Sequence, residues 1–227
     1  SNITQRPLNL SGSRAYDSTR TASGSDLSFT NIVSGETLGL TGNGVLDSPA
    51  AGSRTIVNTN TLAISDGSGI ASNYTLTNGT LTMTIVPRST TVSGTKTYDG
   101  TTNVSSSNLT SFSNLAGSDT LSLSGTGTIS SADVGTGKTV NTSGLTIDNS
   151  SGVGTNYTLS SATVNVTERV IGLSGVRAFD GTNNASSADL SMSNLVSGEN
   201  LTLSGSGTVP NATVEMNKAI TLGSLSI

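Results

Sequence analysis

Three segments of this chain are versions of one another: IVSGETLGLTGNG from Ile32, LAGSDTLSLSGTG from Leu115 and LVSGENLTLSGSG from Leu195. A second set of residues keeps the same step. Gly12, Tyr16 and Asp17 are followed by Gly94, Tyr98 and Asp99, and these by Gly175, Phe179 and Asp180. Tyr98 lies 82 residues after Tyr16, and Phe179 lies 81 after Tyr98. NYTL recurs at Asn73 and Asn156, and Arg6, Arg88 and Arg169 open the units. Such spacing means that one supersecondary unit is used repeatedly, so a single core design has to be satisfied three times. The units run over 1–84, 85–166 and 167–227, and the third lacks the counterpart of NYTL and of the strand after it. That shortfall predicts an unpaired sheet edge or a frayed end in the last unit.

Within each unit the apolar residues alternate. Leu81, Met83 and Ile85 are separated by threonines, and Leu38 with Leu40, Leu121 with Leu123, Leu201 with Leu203 and Val164 with Val166 follow the same rule. A period of two is that of a half-buried strand. The 27 glycines, with abundant Ser, Thr and Asn, supply turns and discourage helices. One short helical turn is expected around Val33 to Thr37 and at its equivalents. The fold class is therefore mainly β: tandem small antiparallel-sheet domains in an elongated array. TLTMTIVPRSTTVSG runs from one unit into the next with no flexible stretch, so the joints should resist bending.

Composition narrows function more than it narrows fold. The chain has no Cys and no His, which removes thiol nucleophiles, the usual zinc sites and the commonest general base. A net charge of −4 with ten basic residues leaves no surface suited to a phosphate backbone, so no nucleic acid partner is expected. No stretch approaches the roughly 20 apolar residues that span a bilayer, which argues against membrane insertion. Nothing at the N-terminus resembles a signal peptide, and the chain reads as a piece of something larger. Among the acids only the aspartate after the recurring aromatic repeats unchanged, and short turns offer no cleft in which two carboxylates converge. An enzyme is not expected, and no cofactor is implied.

Residues 132–139 read ADVGTGKT, close to a phosphate-binding loop. That loop needs a strand before it and a helix after it. Here Lys138 and Thr139 lead into TVNTSGLTI, which reads as strand, and neither sister unit keeps the glycine spacing. Calcium is a second alternative, because Asp66 and Asp148 sit among Ser and Asn oxygens, but their spacing matches neither the EF-hand loop nor the RTX nonapeptide. A glycan platform would favour exposed rings, and the chain has no Trp, four Tyr and three Phe.

The segments RAYDST, KTYDGTTN and RAFDGTNN carry the candidate site residues: Tyr16 and Asp17, then Tyr98, Asp99 and Gly100, then Phe179, Asp180 and Gly181. Each reads as a strand that delivers one ring into the core and then turns. The aspartate accepts from a backbone amide two residues on, and Phe179 argues against a required hydroxyl. With the LxSGExLxLSGxG segment and NYTL, these residues resemble the YDG repeats, related to the MBG modules, of very large bacterial surface adhesins such as the filamentous-haemagglutinin-like exoproteins of two-partner secretion. The resemblance covers essentially the whole chain; Ser18 replaces the glycine in the first unit and Phe179 the tyrosine in the third. It implies β-grasp-like modules, with an immunoglobulin-like sandwich as the alternative, forming stalk or spacer repeats secreted to the surface of a Gram-negative bacterium, associated with its outer membrane and supporting cell–cell or biofilm-matrix attachment. The implied partners are neighbouring repeats of the same chain. Lectin-like modules binding polysaccharide or a host-surface glycan are the alternative, and the fragment is expected to be monomeric.

Overall fold

The computed structural model describes every residue from Ser1 to Ile227. The protein is mainly β, with 21 short strands, five single-turn 3₁₀ helices and no α-helix. In the first repeat six strands lie in the order Thr21–Ser23, Asn43–Leu46, Gly52–Asn58, Thr82–Val86, Leu10–Ala15, Leu27–Phe29. Thr82–Val86 is central. Its Met83 and Ile85 are each 1% exposed, whereas Thr84 between them faces solvent. Burying two such side chains is worth about 1.5–3 kcal/mol each, so this strand is a principal anchor of the repeat.

That strand also departs from the wholly antiparallel expectation. It pairs antiparallel with Gly52–Asn58 but parallel with Leu10–Ala15, Thr84 standing opposite Ser53 on one side and Ser13 on the other. A parallel pair cannot be closed by a hairpin and requires a long crossover. Here the body of the repeat is the crossover, and the chain leaves along the direction in which it entered, straight into strand Arg88–Thr97. The parallel pair also distinguishes the module from an immunoglobulin-like sandwich of antiparallel sheets, and there is no helix for a β-grasp sheet to hold.

The second repeat places Leu109–Ser113, Arg88–Thr97, Tyr157–Thr167 and Gly135–Val140 in one sheet and Asn103–Ser105, Leu121–Thr128 and Leu145–Asn149 in another. Val92, Val104, Leu109, Val164 and Val166 are buried in it. The third repeat is sparser: Gly172–Gly175 pairs with Leu190–Ser193, and Asn184–Ser186 with Ser206–Thr208. Residues 209–220 form no strand, and Val214 and Met216 are 86% and 85% exposed.

The glycine before each aromatic turn is required by a close approach. A Cβ on Gly12, Gly94 or Gly175 would stand 1.9, 1.7 or 1.9 Å from the carbonyl oxygen of Asp26, Asn108 or Asp189. At Gly94 the pairing with Leu109–Ser113 shifts register. The five 3₁₀ turns fall at Gly24–Asp26, Ala71–Asn73, Ser106–Asn108, Gly154–Asn156 and Ser187–Asp189, and none at the expected Val33 to Thr37. That segment and its equivalents are single reverse turns, in which the amides of Glu36, Asp119 and Glu199 donate to the carbonyls of Val33, Ala116 and Val196.

Contacts group the chain into two compact units. The first holds Ser1–Gly94, Asn103–Ile129 and Gly137–Val164; the second holds Thr95–Thr102, Ser130–Thr136 and Asn165–Ile227. The aromatic turn of the second repeat thus belongs with the third repeat. ADVGTGKT contributes to strand Gly135–Val140 with no helix after it, so it lacks the architecture of a phosphate loop.

Candidate functional site: the joint between repeats

The aromatic–Asp turns are built alike. Asp17 Oδ1 accepts from the Thr19 amide at 2.9 Å and the Thr19 hydroxyl at 2.8 Å, and Arg14 pairs with it at 2.5 Å. Asp99 does the same with Thr101, at 2.9 Å to both groups, and with Lys96 at 2.8 Å. Asp180 accepts from Thr182 at 2.8 and 2.9 Å and pairs with Arg177. The Lys96 ammonium, followed by the Thr101 donors, holds the Asp99 carboxyl down at about 2. At Asp180 the Thr182 amide and then Arg177 lower it to about 2. For Asp17 partial burial opposes ionisation, but Thr19 and Arg14 outweigh it and the net shift is downward. These aspartates hold turns, and the next residue explains the glycine: Ser18, Gly100 and Gly181 all take positive φ, at 67°, 74° and 78°.

The rings have a different task. Tyr16 is 5% exposed, and its burial is completed by the following repeat. It meets Tyr157 edge to face, with centroids 5.4 Å apart and planes at 77°. Its hydroxyl donates to Asp119 Oδ2 at 3.1 Å, and Tyr157 donates to the same oxygen at 2.6 Å. The Ala116 amide donates to the Tyr157 hydroxyl at 3.0 Å. One buried cluster runs from Leu10, Met83 and Ile85 of the first repeat through Tyr16 to Ala116 and Tyr157 of the second, with Leu115, Leu121 and Ile147 packed against it. Burial and then the Asp119 carboxylate raise both phenols, Tyr157 to about 12.

The second unit repeats the arrangement. The Tyr98 hydroxyl donates to Glu199 Oε1, and a Cβ on Gly100 would lie 2.8 Å from Val196 Cγ1, so the turn rests on that valine. The acid's hydrogen bond leads in raising the Tyr98 phenol. Asp119 and Glu199 occupy the same place in their repeats, as do Ala116 and Val196. Glu36 is the equivalent acid in the first repeat, where it accepts from Tyr74, its own NYTL tyrosine. All four tyrosines of the chain therefore donate to these three turn acids. Phe179, by contrast, is 67% exposed. The missing hydroxyl at Phe179 is thus no guide to Tyr16 and Tyr98, which both use theirs.

The arginine that opens each repeat completes the joint. Arg88 grips its own repeat through Nε to the Asn114 carbonyl and Nη2 to Asn114 Oδ1, both 2.8 Å, and reaches back through Nη1 to the Tyr16 carbonyl at 3.2 Å. Arg169 does likewise with Asn194 at 2.6 and 2.7 Å and with the Tyr98 carbonyl at 3.5 Å. Asn156 adds a bond at the first joint, accepting from the Ala51 amide at 2.8 Å. Glu36, Asp119 and Glu199 were missed in the sequence because the acid changes between Glu and Asp; its fixed place in the LxSGExL segment was the available signal. Asp66, considered for calcium, accepts from the Ala71 amide at 2.6 Å and braces the 3₁₀ turn there.

Fold and site together define a class: tandem β modules whose shared residues build the seam between one copy and the next. The chain belongs to the YDG domain family, whose model matches residues 3–83, 79–164 and 167–227. No curated protein and no solved structure gave a match.

Proposed function

We propose that these repeats are a structural spacer of a secreted bacterial adhesin, holding a binding region away from the surface of a Gram-negative cell and supporting cell–cell or biofilm-matrix attachment. The observation that carries this reading is the joint itself. The aromatic turn, the acid turn and the arginine meet in the same way at Tyr16 and at Tyr98, so residues shared by the repeats serve the connection between copies. A chain docked through hydroxyl, guanidinium and ring at each step transmits force without a flexible linker, which is what a stalk requires. A Cys-free sequence suits export unfolded and folding outside.

Small-angle scattering on the chain and on versions with one repeat added tests the reading. A maximum dimension that grows by a constant increment per repeat supports the spacer; a dimension that levels off while the radius of gyration follows that of a compact globule refutes it. A glycan panel on the same material asks whether the modules bind sugar directly, and saturable binding abolished by surface substitutions would replace the spacer with a lectin.

A further inference from the structure

The joint between the first two repeats holds two phenols against each other. Tyr16 and Tyr157 come from different repeats and are the one ring pair in contact, edge to face with centroids 5.4 Å apart. Their hydroxyls share a single acceptor, Asp119 Oδ2, at 3.1 and 2.6 Å. Phenoxyl radicals couple at the carbons ortho to the oxygen, so a shared acceptor brings the reactive edges of the two rings together. Tyr74 and Tyr98 also donate to turn acids, Glu36 and Glu199, but no second ring lies against either.

Both rings are held in place from either side of the joint. The Tyr16 amide donates to the Val86 carbonyl at 2.9 Å, and the Tyr16 carbonyl takes Arg88 at 3.2 Å. Asn156, next to Tyr157, is 4% exposed and accepts from the Ala51 amide of the first repeat at 2.8 Å. All of these residues lie inside the first compact unit. Fixing two reactants in this way turns a bimolecular coupling into an intramolecular one. The rings are 5% and 6% exposed, which keeps other chains away from them, whereas Asp119 is only half-buried and can pass a proton to water.

We propose that Tyr16 and Tyr157 are an oxidative modification site, at which a one-electron oxidant of the haem-peroxidase class, fed by hydrogen peroxide, joins the two repeats through a dityrosine bond. Each phenol gives one electron to the oxidant and its hydroxyl proton to Asp119, which passes it to water. Electron transfer needs no direct contact between ring and oxidant, so burial does not bar the step. The two phenoxyl radicals pair their electrons in a carbon–carbon bond between ortho positions. The hydrogen on each bonded carbon then leaves as a proton and the phenolic oxygen takes one back, which restores both aromatic rings. The net loss is two electrons and two protons, and these reduce one hydrogen peroxide to two waters. A bond between two aryl rings tolerates twisted planes, so the 77° between the rings is kept and only their separation shortens. In a chain without cysteine such a bond serves the joint as a disulfide would, tying together residues far apart in sequence. The inference rests on the joint and not on the adhesin role, so each fails by its own measurement.

Treating the folded chain with hydrogen peroxide and a haem peroxidase tests it. The intact mass should fall by two hydrogens without formation of dimer, dityrosine fluorescence should appear, and digestion should release one cross-linked pair of peptides carrying Tyr16 and Tyr157. Tyr16→Phe and Tyr157→Phe keep the ring and remove the phenol, and each should abolish the intramolecular link; Tyr98→Phe should leave it intact. The wild-type chain unfolded in urea should lose the preference for this pair. Peptide mapping of the folded wild-type chain decides the matter even if a variant fails to fold. A folded chain that gives no Tyr16–Tyr157 link, links that map to Tyr74 or Tyr98 instead, or dityrosine that persists at the same level in a folded Tyr16→Phe chain would overturn the proposal.

Discussion

Replacing Tyr16 by alanine should weaken the coupling between the first two repeats, which share one buried cluster. The ring is 5% exposed and lies in a cluster drawing on both repeats, so its removal opens a cavity in the seam. Large aromatic-to-alanine changes in a core cost about 3–5 kcal/mol, and the edge-to-face contact with Tyr157 lies near the top of that range's causes, at about 1 kcal/mol. Tyr16→Phe keeps ring and packing and loses only the 3.1 Å bond to Asp119, which retains Tyr157 at 2.6 Å. That change should cost about 1 kcal/mol. Urea unfolding followed by far-ultraviolet circular dichroism measures both. Tyr16→Phe should lower the midpoint and leave the slope unchanged. Tyr16→Ala should lower it several times further and broaden or divide the transition of the first unit, because coupled repeats lose cooperativity when their interface energy is removed. If Tyr16→Ala costs no more than Tyr16→Phe, with an unchanged slope, the ring does not hold the seam.

Ser18 pays for a left-handed backbone that its glycine counterparts do not, so Ser18→Gly should raise stability by about 1 kcal/mol in chemical denaturation. Gly100→Ser should be destabilising, since the added Cβ also meets Val196 at 2.8 Å. Gly12→Ala forces a Cβ to within 1.9 Å of the Asp26 carbonyl and should cost about 1–3 kcal/mol, read as a lowered urea midpoint. The Asp99 carboxyl is held at about 2 against an ordinary 3.8, a depressed value, so its contribution is present above 3.8 and lost as pH falls through about 2. Thermal melts across that window should show a pH-dependent loss that is smaller in Asp99→Asn, and an identical profile in the variant would refute the assignment.

Much of this architecture could be read from the letters. Alternation at Leu81, Met83 and Ile85 places a half-buried strand where one exists, because a period of two is set by the pleat and needs no tertiary knowledge. The direction of that strand's partner was not readable: the same alternation suits a parallel or an antiparallel neighbour. The Asx turns at Asp17, Asp99 and Asp180 are local and follow from side-chain reach. The fate of the rings is not local. Tyr16 meets an acid 103 positions away and Tyr98 one 101 positions away, more than a full repeat, so a pattern read within one unit assigns them to the wrong core.

Because the last strand of the first repeat runs alongside its first and points the same way, that module hands the chain on in the direction in which it received it. A stretch of gene copied in frame from one opening arginine to the next would therefore insert as a finished part, with its own turn for the successor and its own acid for the predecessor. Lengthening or shortening such a protein requires no new loop, only a change in copy number.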